Sequence, residues 1–425
     1  MVHDMAGEAN LTVLDVFAGA GGLSEGFFRK DFRFIAHIEK DVYASKTLET
    51  RALYHTLQNN GMWDLYYTYL KGEISRDLLF EETKEFSEDI SSGVFNVEIS
   101  EKTEKPLIKE IQKRMRSHHI RKVDVMIGGP PCQAYSITGR SRDPHRMGDD
   151  PRNYMYHHYI TFLKAFKPDI FIFENVPGIF TAKNGSIFQD MLKRIQNLGY
   201  VTEHKILDAA DFFVLQKRKR VVLMGWRPEC GFEYPKFPSR EHDFYVRDIL
   251  ADLPPLHPGD GCEGVQEYTE PPSQYLMESG IRAKKDVLIQ HIARRHNERD
   301  REIYRCAIKI WETEKRRIRY SELPEKLKTH RNQKSFKDRF KVVAGDLPSA
   351  HTVVAHISKD GHYYVHPDIN QARSLTVREV ARIQSFPDNY KFEGPRTSQY
   401  IQIGNAVPPL MSEKIAEQVK HILRG

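Results

Sequence analysis

A thiol, a carboxylate and two guanidiniums stand at the ends of strand-like runs in this chain, at Cys132, Glu174, Arg218 and Arg220. Cys132 follows Gly128-Gly129-Pro130-Pro131, and the two prolines leave the backbone few conformations, so the thiol is held in one place. A free thiol with pKa about 8.5 is only a few per cent thiolate near neutral pH, so a nucleophilic role calls for positive charge nearby. Glu174 and Asn175 close the apolar run DIFIFEN. In QKRKR (216–220), strand alternation turns Arg218 and Arg220 to one side and Lys217 and Lys219 to the other. Two guanidiniums on one side can grip an anion or a carbonyl. Taken singly, each has a plainer reading: a small buried hydrophobe for the cysteine, an ordinary strand-end acid, a basic hairpin facing water.

The elements that must position these groups alternate between strand and helix, which predicts an α/β fold with a mostly parallel sheet and helices on both faces. The run at 123–127 is a short buried strand that puts Cys132 beyond its carboxyl end, where open α/β sheets place their chemistry. LTVLDVF (11–17) is another, and it leads through the glycine-rich AGAGGLSEGFF into a helix. FRFIAHIE ends at Glu39, 22 residues after Phe17, where an acid in a dinucleotide-type fold binds ribose hydroxyls. Together these suggest a cofactor containing adenosine. The turn has no Lys or Arg to meet a pyrophosphate and the chain has no G-x-x-x-x-G-K-[ST], which favours a cofactor without phosphates. Residues 42–122 read as polar and helical, with a mixed-charge surface excursion at KGEISRDLLFEETKEFSEDI. Residues 138–153 are too charged for a core and suit a loop closing over substrate. A helix is expected from Tyr154 to Phe166, a long one over 281–319, and an amphipathic one after Asn405.

With 40% hydrophobic, 29% charged and 11% aromatic residues over 425 positions, the chain is globular rather than disordered, with room for a large core and a second unit. Its four cysteines (Cys132, Cys230, Cys262, Cys306) form no C-x-x-C pair, against both a disulfide framework and a zinc site; no metal is expected. No basic leader or membrane-length apolar run occurs, so an intracellular protein is expected. The net charge of +6 is uneven: residues 281–341 hold 20 Lys+Arg against 9 Asp+Glu, which suits a polyanionic partner or, equally, a solvated helix face.

These residues occur in an order that resembles the DNA (cytosine-5)-methyltransferases of bacterial restriction-modification type. FAGAGG is similar to that family's cofactor loop, GGPPCQ to its nucleophile motif, ENV to its acid motif and QKRKR to its arginine motif. RSLTVREVARIQSFP (373–387) and YIQIGNAVPP (400–409) match the last two. Leu215 departs from the pattern, standing where Pro is expected before the Gln. The adenine-contacting motif is not evident, and Glu98 in NVEIS is its best candidate.

The resemblance implies a Rossmann-like methyltransferase fold that uses S-adenosylmethionine, with a catalytic domain over 1–235 completed by 400–425 and a smaller target-recognition domain over 236–399. It implies cofactor contacts from Phe17, Gly19, Gly21, Gly22, Leu23, Glu39, Pro130, Asn405 and Val407, besides Glu98. Cys132 would attack carbon 6 of a flipped-out cytosine, Glu174 would act on ring nitrogen 3, and Arg220, supported by Arg218, would hold the base carbonyl. An ordinary Glu with pKa about 4.3 must be raised by nearly 3 to donate a proton near pH 7, a bias of roughly 4 kcal/mol that calls for a dry pocket. The expected partner is double-stranded DNA, bound by a cytoplasmic, nucleoid-associated monomer; a restriction endonuclease acting on the same site need not form a complex with it. A tRNA cytosine methyltransferase and a non-catalytic DNA-binding relative are the alternatives.

Overall fold

The computed structural model describes residues 10–131, 154–329 and 337–424. Its centre is a seven-stranded sheet in the order β3-β2-β1-β4-β5-β7-β6. The strands are β1 (Thr12–Val16), β2 (Arg33–Glu39), β3 (Val94–Asn96), β4 (Val125–Gly128), β5 (Ile170–Asn175), β6 (Val201–Asp208) and β7 (Lys219–Trp226). β1 to β5 run parallel, and β7 is inserted antiparallel between β5 and β6.

Alternation along the buried strands builds two cores. Leu14, Val16, Met126, Phe171 and Phe173 face one side. Val13, Val125, Ile127, Ile170 and Ile172 face the other. The helices of seven residues or more before β4 are α1 (Gly22–Arg29), α2 (Val42–Asn59), α3 (Trp63–Leu70), α4 (Arg76–Glu82), α5 (Lys84–Gly93) and α6 (Glu104–Ser117). After it come α7 (Met155–Phe166), α8 (Ser186–Gln196), α9 (Glu298–Glu314), α10 (Val377–Ile383), α11 (Arg396–Asn405) and α12 (Pro409–Arg424). The first core is closed by α6, α7 and α8 through Ile111, Phe162 and Met191. The second is closed by α1 and α12 through Phe27, Met411 and Ile415.

The C-terminal helix thus completes the layer begun by the first helix of the chain. A Cβ at Gly26 would lie 2.2 Å from the Ser412 carbonyl carbon, so only glycine permits this approach. The Ser412 hydroxyl donates to the Leu23 carbonyl, and Glu413 pairs with Arg29 at 3.0 Å and Lys30 at 3.1 Å.

Residues 246–406 hold a further core, with Phe213 and Leu215 packed against Ile249, Tyr275, Leu375, Phe386 and Tyr400. One expected element is corrected here. The long helix over 281–319 is confined to α9, which begins after Asn297, whose side chain accepts from Asp300 N at 2.8 Å. Residues 281–297 are irregular, and several of their polar side chains turn inward: Arg282 pairs with Asp252, and His291 meets Pro254 O at 3.0 Å. The apolar set on α9 does pack: Ile303, Tyr304, Ala307 and Ile308 are buried against Ile318, Phe340 and Val365. The excursion at 71–90 forms most of α4 and α5, and Leu79 is fully buried with Leu53 and Tyr66.

Gly26→Ala should cost about 1–3 kcal/mol, because the new methyl must push apart two backbones; urea unfolding at unchanged m-value would register it.

Candidate active site

The ends of β1, β2, β4 and β5 and the start of β7 share one edge of the sheet. Val16 lies beside both Ile38 and Gly128, Gly128 beside Phe173, and Glu174 beside Val222. A Cβ at Gly128 would lie 2.2 Å from Val16 O, so glycine lets the two strands close up where the chemistry-bearing segment leaves β4. Gly129 Cα then sits under Glu174, since a Cβ there would be 2.7 Å from its Oε2.

Glu174 Oε1 accepts from Arg220 Nε at 2.6 Å, and the two side chains are 12% and 10% exposed. Burial raises the Glu174 pKa above the usual carboxylate value, while Arg220 and then Arg218 pull it back. Burial and the two guanidiniums thus act on the carboxyl in opposite directions, with burial the larger effect. Asn175 braces the same corner: its Nδ2 donates to Pro130 O at 3.1 Å and its Oδ1 accepts from Val176 N at 2.9 Å. Cys132 and the loop 138–153 lie outside the described residues; Pro131, next to Cys132, is described.

Alternation holds through QKRKR, with Lys217 and Lys219 exposed and Arg218 and Arg220 buried. The two arginines divide their work. Arg220 reaches Glu174, while Arg218 donates to the backbone carbonyls of Val353 and, at 3.0 Å, Gly404. Gln216 adds bonds to Ile383 O at 3.1 Å and Gln384 Oε1 at 2.7 Å, and accepts from Val353 N at 2.8 Å. Leu215 is fully buried and its carbonyl accepts from Ala350 N at 2.8 Å, a backbone bond indifferent to the side chain.

The turn after β1 is strongly bent, with φ of +64° at Phe17, +59° at Gly19 and +82° at Gly21. Glu39 fastens it: Oε2 accepts from Gly19 N and Oε1 from Asp41 N, both at 2.8 Å. Among the described residues nothing lies within 4 Å of a Cβ built on Gly19, so they leave one side of the turn open. The other side is filled, because a Cβ at Gly22 would lie 2.3 Å from Val407 O. Leu23 and Val407 are both buried. An open glycine turn with an adjacent carboxylate and no cation in it fits an adenosine-type ligand without phosphates. Asn405 is exposed at the end of α11. Glu98 follows β3 but is turned outward, 67% exposed and 3.0 Å from Lys40 Nζ.

Sequence reasoning assigned nothing to Asn175, Gln216 or Tyr390. The first two sat inside recognised motifs, which was the available signal; Tyr390, whose hydroxyl donates to Ala20 O, is 370 residues from its partner and had none. Among the described residues no cluster of His, Cys, Asp or Glu could hold a metal, and no helix is long and apolar enough to cross a membrane. Cys230, Cys262 and Cys306 are free thiols.

The sheet order, the antiparallel β7 and the glycine turn define a Rossmann-like methyltransferase. A family model described as C-5 cytosine-specific DNA methylase matches residues 93–421, and the chain belongs to that family. It is 45% identical to the Type II methyltransferase M.Bpa9945I of Bacillus paralicheniformis over 98% of this chain and 100% of that one. It is 32% identical to the Type II methyltransferase M.AgeI of Thalassovita gelatinovora over 70% of this chain and 83% of that one. A crystal structure of a prophage-encoded protein of Escherichia coli, described as a DNA modification methyltransferase, shares the fold at a TM-score of 0.64 and 20% identity, covering 98% of this chain and 100% of that one. The family makes the chain an enzyme, a DNA (cytosine-5)-methyltransferase.

Removing the guanidinium with Arg220→Met should move the Glu174 titration further upward, since burial then acts without its main opponent. Carbon-13 NMR of the labelled carboxyl measures this; an unchanged or lowered midpoint would refute the pairing.

Proposed function

We propose that this enzyme methylates carbon 5 of a flipped-out cytosine within a specific duplex sequence, through a transient bond from Cys132 to carbon 6, as the modification half of a restriction-modification system. The observation that carries the reading is the buried Glu174–Arg220 pair, set against the Gly129–Pro130 segment that leads to Cys132. The family, and relatives named Type II methyltransferases, support it further.

Carbon 5 of cytosine is a weak nucleophile, and addition of a thiolate across the 5,6 double bond makes it a strong one. As the Cys132 sulfur bonds to carbon 6, electron density moves toward ring nitrogen 3, where Glu174 in its neutral form gives a proton or hydrogen bond. Arg220 holds the base carbonyl oxygen and offsets the charge on Glu174 when it is ionised. Arg218, occupied with Val353 O and Gly404 O, keeps the strand start in place from behind. S-adenosylmethionine, when bound, supplies the methyl group. Phe17, Gly19, Gly21, Gly22 and Leu23 would cradle it, with Glu39 on its ribose and Pro130, Asn405 and Val407 along its sides; Glu98 could reach its adenine only by leaving Lys40. Loss of the carbon 5 proton to water then breaks the bond from carbon 6 to the Cys132 sulfur, which leaves as thiolate, and any proton given to ring nitrogen 3 returns to Glu174 as aromaticity is restored. Extruding the base costs a few kcal/mol, offset by stacking and hydrogen bonding in the pocket. In this reading residues 1–235 with 400–425 form the catalytic domain and 236–399 the target-recognition domain. The enzyme acts as a monomer on nucleoid DNA in the cytoplasm, and a nuclease sharing its site need not bind it.

Labelled methyl transfer should proceed to duplex DNA and not to tRNA, and Cys132→Ala should abolish it while duplex binding persists; transfer by the alanine variant would refute the covalent route. Bisulfite sequencing of DNA from expressing cells then reads out the target word. Glu174→Gln should slow turnover about 10²–10⁴-fold. Because a raised carboxyl pKa means the useful proton is lost as pH climbs, wild-type turnover should fall on the alkaline side, and the glutamine variant should lack that limb.

A further inference from the structure

The filled side of the glycine turn rests on a segment from the far end of the chain. A Cβ at Gly21 would lie 3.0 Å from the Tyr390 hydroxyl and 2.8 Å from Leu48 Cδ2, and one at Gly22 would lie 3.3 Å from Phe386 Cζ. Tyr390 is fully buried and donates to Ala20 O in the middle of the turn. Burial keeps its phenol neutral, so it stays a donor at any physiological pH.

The segment cannot give way easily. Arg51 holds Glu25 of α1 through Nε at 2.8 Å and Nη2 at 2.6 Å, while its Nη1 donates to Asn389 Oδ1 at 2.9 Å. The same guanidinium lies 4.7 Å from the Tyr390 ring centre. Arg378 donates to Tyr390 O at 3.0 Å, and Arg382 grips Asp388 at 2.6 Å and Asp252 at 2.5 Å. Asp388, Arg378 and Arg382 are all fully buried. Residues 386–390 are thus a rigid strut joined at one end to the region that carries Asp252 and at the other to the glycine turn.

Of the three left-handed residues in the turn, Phe17 is the one for which that conformation is costly, and the turn is held on one side by Glu39 and on the other by Tyr390. We propose that Tyr390 is a positioning residue for the cofactor: its hydrogen bond to Ala20 O presets the turn before S-adenosylmethionine arrives, so less ordering remains to be done on binding. This rests on the reading that the turn holds that cofactor. Tyr390 is fully buried and meets the turn through its hydroxyl at Ala20 O, so its loss acts on cofactor affinity and leaves the chemical step alone.

Tyr390→Phe keeps the ring and its packing and removes only the donor. Cofactor affinity, measured by calorimetry on the full chain, should weaken about tenfold, equivalent to about 1.4 kcal/mol. Turnover at saturating cofactor and KM for duplex DNA should stay within about twofold of wild type, because the substitution touches none of the three groups that act on the base, Cys132, Glu174 and Arg220. Tyr200→Phe is the control: that buried hydroxyl donates to Pro168 O at 2.8 Å, remote from the turn. It should lower Tm comparably and leave cofactor affinity alone. Weakening below about threefold in Tyr390→Phe, or equal weakening in Tyr200→Phe, overturns the inference. If wild type itself fails to bind S-adenosylmethionine, the functional reading falls and takes this with it; wild-type binding with an unaffected Tyr390→Phe removes this inference alone.

Discussion

A carboxylate buried at a sheet edge needs a cation opposite it, and the placing of β7 answers that need at Glu174. Leaving an ionised carboxylate out of water without a partner costs several kcal/mol. In an all-parallel sheet, the strand beside β5 would begin at the opposite edge, and its first residues would lie a full strand length from Glu174. Running antiparallel, β7 begins at the chemical edge, so the arginine segment that precedes and opens it lies beside the acid that closes β5. The single reversed strand in the parallel part of the sheet is what makes a 2.6 Å contact between Glu174 and Arg220 geometrically available.

The same edge depends on the rest of the chain through buried arginines. Arg218, Arg373, Arg378 and Arg382 are among the largest fully buried side chains, and most of their donors go to backbone carbonyls or to Glu379, Asp252 and Asp388. A guanidinium offers five donors in a fixed plane, so it can satisfy carbonyls from several irregular segments at once where water is excluded. That solves a problem specific to residues 246–406, which contain long irregular stretches whose polar backbone atoms find no sheet ladder. The charge cost is met by the buried acids: Glu25 and Glu379 are both held well below the ordinary carboxylate range by their arginine partners, against the opposing effect of burial.

The parts of the fold legible in the sequence were those buried on two faces. β4 and β5 are apolar runs cut off by Gly or a charged residue, β1 is a fully buried run interrupted only by Asp15, and the groups placed beyond their ends meet at one edge. β3 left no such mark, because three residues paired on one side need no pattern. The basic stretch at 281–297 misled for a related reason: Arg282, His291 and Arg294 in it are inward struts whose partners lie 12 to 85 residues away. Local pattern carries no record of such pairings. Arg218 shows the intermediate case, where alternation correctly gave its side of the strand and could not say that the group on that side would be protein backbone instead of ligand.

The charge distribution bears on how a polyanion would be held. Residues 281–341 carry 20 cations, yet many are already matched within the fold. Arg301 and Arg305 share Glu298, Arg316 bridges Glu314 and Glu322, Lys315 meets Asp346, and Arg339 meets Asp360. Arg282 and Arg294 point inward, the first to Asp252 and the second to Ile357 O. A cation that neutralises a phosphate releases a counterion and adds about 0.9 to the slope of log affinity against log salt. One that must first leave a carboxylate releases none, because its charge was balanced beforehand. The excess of +11 in this region is therefore a better guide to the attraction it can exert on DNA than the raw number of basic residues, and part of even that excess is matched by Asp252, Asp346 and Asp360 from outside the region or spent on internal carbonyls. Basic composition in this chain records two separate demands, solvent-facing charge and a hydrogen-bonded interior without regular strands, and only the first bears on nucleic acid.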